Sequence, residues 1–102
     1  MSHRIRLGPP WVVTAAGGRT RHARKFGRPR LTDPTERVWV VCESVPASAA
    51  VLVNGEALGT AEPGRPFAAD VSHLLKPRNE LVFDVASADP PGEVALELRP
   101  TA

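Results

Sequence analysis

Two stretches of the chain decide its fold: Arg37-Val38-Trp39-Val40-Val41-Cys42-Glu43 and, after a short gap, Ala49-Ala50-Val51-Leu52-Val53-Asn54-Gly55-Glu56-Ala57-Leu58-Gly59. The first is rich in β-branched and aromatic residues and apolar at odd and even positions alike. A strand of that kind is covered on both faces, so it belongs inside a sheet rather than at its edge. The second sets Asn-Gly between two β-like runs. Both residues tolerate a positive φ, which a two-residue hairpin demands, so the pair reads as a tight turn.

Working outward, the rest of the chain breaks into similar short pieces. His3 to Leu7 places Ile5 and Leu7 on one face. Trp11 to Ala15, Arg19 to Phe26, Pro66 to Ala69, Asn79 to Ala86 and Glu93 to Arg99 also read as strands. Leu81, Phe83 and Val85 share one face, as do Val94, Leu96 and Leu98. Asp70 to Lys76 reads as one helical turn, capped by Asp70 or Ser72 and stopped by Pro77. Eleven prolines and eight glycines punctuate the chain. No segment holds a helical apolar period for three turns, and no internal repeat is visible. The expectation is an all-β, single-domain β-sandwich over residues 1–102, with about eight short strands and one short helical turn.

The length of 102 residues suits one hydrophobic core and leaves no room for a second. With 42% hydrophobic and 24% charged residues, the composition is that of a globular domain. The lone Cys42 excludes an internal disulfide and a cysteine zinc cluster. It reads as an inert core thiol. No apolar run is long enough to span a bilayer, and no secretory signal is visible, so a cytoplasmic location with no membrane partner is expected. His3, His22 and His73 lack metal-ligand spacing and read as surface or turn residues. Gly17-Gly18 is a turn, not a phosphate loop. Ser72-His73 has no third partner for nucleophilic catalysis. No metal, cofactor or catalytic residue is expected.

Net charge is +2, but unevenly spread. Residues 1–30 carry eight bases and no acid, while residues 31–102 carry five bases against eleven acids. Such asymmetry can mark a polyanion surface. The simpler expectation is that a basic strand lies beside acidic neighbours and pairs with them across the sheet.

The stretch from Arg37 to Val85 resembles the sugar-binding jelly roll of glycoside hydrolase family 2, a galactose-binding-like β-sandwich. In that family a strand like Arg37–Val45 precedes a segment like Ala49–Gly59 with its Asn-Gly hairpin. Pro66-Phe67-Ala68-Ala69-Asp70-Val71 matches the family's Pro-Phe-x-x-Asp-aliphatic run. Leu74 to Val85 matches its Leu-x-x-Gly-x-Asn-x-Leu-x-Val-x-Val end, with Pro77 and Arg78 standing where a glycine is usual. Arg24-Lys25-Phe26-Gly27-Arg28-Pro29 is similar to an earlier aromatic-to-proline strand. These motifs serve the fold: Asn54 and Gly55 turn the chain, Phe67 plugs the core, Asp70 caps and Asn79 closes a loop. The family's catalytic glutamates lie in a separate barrel. The resemblance therefore implies a non-catalytic carbohydrate-binding or accessory module.

A sugar site on such a fold often uses loops at one end of the sandwich. Trp11 is the candidate exposed stacking platform, Trp39 the core tryptophan. Glu62, Arg65, Asp89 and Glu93 are the candidate polar ligands. The first alternative is a protein-interaction or assembly domain of the same fold, partnered by another copy or by a larger protein. The second is polyanion or nucleic-acid binding through Arg19, Arg21, Arg24, Lys25, Arg28 and Arg30. If that stretch is extended, Arg19, Arg21 and Lys25 share one face and His22, Arg24 and Phe26 the other. The split disfavours nucleic acid, since phosphate tracking wants its charge on one side.

Overall fold

The computed structural model describes residues 3–31 and 33–101. Among the described residues nine strands form: β1 (His3–Arg6), β2 (Val12–Ala16), β3 (Arg19–Gly27), β4 (Arg37–Cys42), β5 (Ala49–Val53), β6 (Glu56–Ala61), β7 (Phe67–Asp70), β8 (Arg78–Val85) and β9 (Val94–Arg99). They build two antiparallel sheets, β1-β9-β4-β7 and β2-β3-β8-β5-β6. This is the expected β-sandwich, with one strand more than the expected eight or so.

The deciding strand β4 lies inside its sheet, between β9 and β7. Val38, Val40 and Cys42 point into the core, while Trp39 and Val41 are half-buried on the outer face. Trp39 is therefore not a core residue between the sheets. It lies on the outer surface with the Arg99 guanidinium 4.5 Å from its ring centroid, a cation–π contact. The Asn-Gly hairpin forms as its residues demand, with φ of 52° at Asn54 and 82° at Gly55. Gly17 and Gly18, at 58° and 79°, make the corresponding turn between β2 and β3.

The core is the sum of the inward faces. Val38, Val40, Leu96 and Val94 from one sheet meet Val51, Val53, Leu81, Phe83 and Val85 from the other. Phe67 is half-buried and packs against this cluster. Burying this apolar surface, at about 25 cal/mol per Å², is the main force holding the two sheets together.

The helical turn is shorter than expected, a 3₁₀ turn at Ser72–Leu74 without a side-chain cap. Asp70 accepts from Arg37 Nε at 2.8 Å and from the Ser72 amide at 2.9 Å. Ser72 Oγ accepts from the Val38 amide at 2.7 Å. The carboxyl thus holds the first amide of the turn and, with the hydroxyl, joins the turn to β4. Burial alone would push the Asp70 carboxyl up, but the bonds from Arg37 and Ser72 outweigh it and hold it below the usual range.

The basic strand β3 pairs with acidic partners across the sheet, as the simpler reading of its charge requires. Arg19 meets Asp84 at 2.8 Å and Arg21 meets Glu80 at 3.3 Å, both on β8. Its inward face carries the surprise. His22 is only 2% exposed, opposite Phe83, and so is neither a surface nor a turn histidine. Among the described residues, neither of its ring nitrogens has a hydrogen-bond partner. Burial pushes its pKa below the ordinary histidine value.

Candidate functional site

The topology sorts the loops into two ends. Register pairs Cys42 with Phe67 and with Val94, and Ala49 with Ala61 and with Val85. The β4–β5, β6–β7 and β8–β9 connections therefore emerge at one end. The Asn54-Gly55 turn, the β3–β4 connection and the β7–β8 connection emerge at the other.

At the first end, the β1–β2 crossover runs beside the β8–β9 loop, and a cavity of about 310 Å³ lies between them. Leu7 donates its amide to Val94 O at 2.9 Å and fixes the crossover against β9. Gly92 fixes the loop: its amide donates to Ser44 O at 2.8 Å. A Cβ on Gly92 would come within 2.5 Å of Ser44 Oγ and 3.2 Å of Ser44 O, so a side chain here would force Ser44 to shift. Pro9, Trp11, Pro90 and Pro91 wall the cavity, and Arg6 and Glu93 stand at it, 3.8 Å apart. That separation makes a loose, exposed pair whose polar atoms are open to other partners.

Trp11 differs from the exposed platform expected of it. It is half-buried and meets Phe83 edge to face, with ring centroids 6.1 Å apart. The ring both closes the core and lines the cavity. Of the other candidates, only Glu93 joins it there. Glu62 accepts from Ser48 Oγ at 2.6 Å, and its carbonyl accepts from the Arg65 amide at 3.3 Å in the β6–β7 turn. Asp89 lies in the β8–β9 loop, where its amide donates to Ser87 Oγ at 3.1 Å. These three share the end but not the cavity. Arg6 and the prolines were missed. The available signal was the pair of Pro-Pro dipeptides, Pro9-Pro10 and Pro90-Pro91, of which Pro9, Pro90 and Pro91 meet at the cavity.

The arginine stretch is dispersed. Arg19, Arg21 and Lys25 lie on the outer face of their sheet, and the first two are ion-paired. Arg24 turns the other way and donates to Gly8 O at 2.8 Å and to Lys25 O. Arg28 and Arg30 are exposed beyond the end of β3.

Elsewhere, Glu97 on the outer face of the other sheet is held by Arg4 at 2.8 Å and Arg99 at 2.7 Å, which keep its carboxyl below the usual range. Cys42 is buried and donates to Ser44 O at 3.2 Å, and burial raises its pKa, so its thiol stays protonated at neutral pH. Among the described residues, no three His, Cys, Asp or Glu side chains stand together as a metal site requires.

Two stacked antiparallel sheets with this strand order define a galactose-binding-like β-sandwich, the class that the sequence resemblance implied. Known structures share it. A β-glucuronidase from Faecalibacterium prausnitzii, described as FMN-binding, superposes with a TM-score of 0.81 at 23% identity over 98% of this chain and 23% of its own. A Bifidobacterium dentium β-glucuronidase, complexed with coumarin-3-O-glucuronide, gives 0.83 at 13% identity over 97% of this chain and 30% of its own. The Dictyoglomus thermophilum enzyme gives 0.80 at 13% identity, over 98% and 28%. The chain thus spans less than a third of each of these enzymes, and at these identities the likeness is one of fold. No protein-family model matches the sequence, and no curated protein matches it.

Proposed function

We propose that this chain is a non-catalytic carbohydrate-binding module related to the small β-sandwich of glycoside hydrolase family 2. The observation that carries this reading is the cavity between the crossover and the β8–β9 loop. Saccharide recognition needs an apolar wall for the C–H face of a ring and a few polar groups for its hydroxyls. Trp11, Pro9, Pro90 and Pro91 supply the wall, and Arg6 and Glu93 supply a charged donor and a charged acceptor. Glycoside hydrolysis by the usual route requires two carboxyl groups flanking the bond. Glu93 is the one carboxylate among the residues that line this cavity, which favours binding over cleavage. The glucuronide held by the Bifidobacterium dentium enzyme makes glucuronides one sensible class to include among the sugars tested.

The test is titration calorimetry against a panel of neutral and acidic saccharides. Saturable binding that weakens at least tenfold in Glu93→Gln supports the reading. No saccharide bound at millimolar concentration overturns it. Glu93→Gln is preferred to Trp11→Ala, because Trp11 also packs on Phe83 and its removal would disturb the fold.

A second reading, an assembly domain, has one observation in its favour. Of the four edge strands, β1 carries Arg4 and Arg6, β6 pairs through an irregular register, and β7 is four residues long and preceded by Pro66. These are devices that discourage edge pairing. The edge strand β2, Val12-Val13-Thr14-Ala15-Ala16, has no charge and no proline, and Val12 and Val13 are 70% and 55% exposed. Sedimentation velocity decides it. A dimer that Val13→Lys converts to monomer supports assembly through this edge. A monomer at all concentrations excludes it.

A further inference from the structure

We infer that the opposite end of the sandwich holds a second site, a groove that takes the carboxylate or sulfate of an acidic saccharide between Lys25 and Arg78. The inference rests on the carbohydrate reading for the nature of its ligand. The anion preference stands on the groove alone.

The groove lies where β3 ends and β8 begins, and its volume is about 590 Å³. That falls within the usual range for a small-molecule site. Register places Lys25 opposite Glu80 and Gly27 opposite Arg78, so Lys25 and Arg78 are diagonal neighbours on the outer face. Gly27 leaves the position across from Arg78 without a side chain, which keeps the space between the two cations open. Phe26 and Pro77 give the groove apolar lining.

Arg4, Arg6, Arg19, Arg21, Arg37 and Arg99 each have a carboxylate within 4 Å. Among the described residues, Lys25 and Arg78 have none, nor do Arg24, Arg28, Arg30, Arg65 and Lys76, but of these seven only Lys25 and Arg78 line this groove, together with Glu80. Glu80, the carboxylate nearest in register, is engaged by Arg21 at 3.3 Å. Two like charges on adjacent strands repel. An anion bridging them would turn that repulsion into two charge-assisted contacts, bidentate on the arginine.

The groove wall is also fixed in advance. Asn54 Nδ2 donates to Leu74 O at 3.0 Å and to Asn79 Oδ1 at 2.9 Å, and Asn54 Oδ1 accepts from the Glu80 amide at 2.9 Å. Asn79 is similarly occupied with Lys76 and Phe26. Both amides are spent on the fold, so recognition falls to the two cations, and the ordering left to be done on binding is that of their own side chains.

The experiment is a ¹⁵N NMR titration of the whole chain with uronic-acid disaccharides, their neutral counterparts and sodium sulfate. It uses wild type, a Lys25→Gln/Arg78→Gln double variant and Glu93→Gln. Lys25 and Arg78 are exposed, so the double variant should fold, and its spectrum reports whether it does. The expected result is shifts at Phe26, Gly27 and Arg78 amides with the acidic disaccharides only. Affinity read at these amides should fall at least tenfold in the double variant and weaken with salt. Acidic disaccharides that shift the Phe26 and Gly27 amides of the double variant as they do in wild type would overturn the inference. So would neutral sugars that shift these amides with equal affinity, or sulfate producing the same shifts at the same concentration, which is an anion effect without a sugar. If sugars bind, Glu93→Gln weakens them and these amides do not shift, this inference fails while the carbohydrate reading stands. If no sugar binds anywhere, both fail.

Discussion

The two ends of the sandwich handle their polar side chains in opposite ways. At the Asn54 end the amides of Asn54 and Asn79 are consumed by one another and by the backbone of three separate segments, at Phe26, Leu74 to Lys76 and Glu80. At the Trp11 end, Arg6 and Glu93 are exposed and face each other across 3.8 Å. The interiors of the loops are held there by main-chain contacts, Leu7 to Val94, Glu43 to Glu93 and Gly92 to Ser44. The first arrangement builds stability from side chains. The second builds it from the backbone, joined by the Arg24 bond to Gly8 O, and leaves Arg6 and Glu93 available. A side chain satisfied by the fold is a poor ligand, whereas one that the fold does not need can take a ligand at little structural cost.

That contrast predicts a steep ranking of substitutions. The largest effect belongs to Asn79→Ala. Asn79 is 4% exposed, and its loss would strand the Lys76 amide and take one of two acceptors from Asn54 Nδ2, which keeps Leu74 O. Unsatisfied buried groups cost about 1–3 kcal/mol each, so a total near 3 kcal/mol is expected. Thermal unfolding should show a fall of at least 10 °C, since about 4–8 °C is lost per kcal/mol in a domain this small. A fall of only a degree or two would mean that the network is not what holds this end.

Gly92→Ala comes next, at about 1–2 kcal/mol, because the added methyl meets Ser44. Ser44→Ala in the same chain should restore part of the loss. It removes the 2.5 Å overlap with the hydroxyl and leaves the 3.2 Å approach to the Ser44 carbonyl. Full rescue, or none, would show that the loop is positioned by something else. The same variant should weaken any saccharide bound beside Pro91 and leave the Lys25–Arg78 groove untouched.

The Asn54 end was legible in the sequence and the Trp11 end was not, for the same physical reason. Asn-Gly and the Asn79 loop are local devices whose residue types are dictated by backbone geometry over a few positions. Strand β4 is similarly legible because burial on both faces leaves few residue choices. The Trp11 cavity joins residues 6–11 to residues 90–94, and nothing local announces that meeting. Trp11 illustrates the limit. Its place after Pro9-Pro10 reads as an exposed ring, yet Phe83 is its neighbour in space. His22 was misplaced because β3 alternates basic residues with inward ones, and polarity alone does not reveal which face a histidine takes.

Between the two ends, His22 offers a smaller and pH-dependent test. Its imidazole is held neutral by burial, so its folded pKa lies below the ordinary 6.5. The unfolded chain therefore takes up the proton first. The contribution is fully present above pH 6.5 and is lost as pH falls through the folded pKa, with a slope of at most about 1.4 kcal/mol per pH unit. Since neither ring nitrogen is hydrogen-bonded, His22→Leu should cost little at pH 7.5 and should flatten urea-derived stability between pH 6.5 and 5. An unchanged slope in His22→Leu would assign the pH dependence to other groups.

The smallest effect on stability, and the sharpest on function, is expected at Arg6 and Glu93. The pair is exposed, and its 3.8 Å separation puts it among surface ion pairs worth no more than about 0.5 kcal/mol. Arg6→Ala and Glu93→Gln should therefore melt within about 3 °C of wild type. If the Trp11 cavity binds sugar, each should nevertheless lose tenfold or more in affinity, because the groups are free to serve the ligand. A loss of stability without a loss of binding would reverse the comparison: the charged pair would then be a structural device and the cavity an unused gap between two loops. Binding lost at constant stability is the signature of side chains that the fold positions and does not itself use.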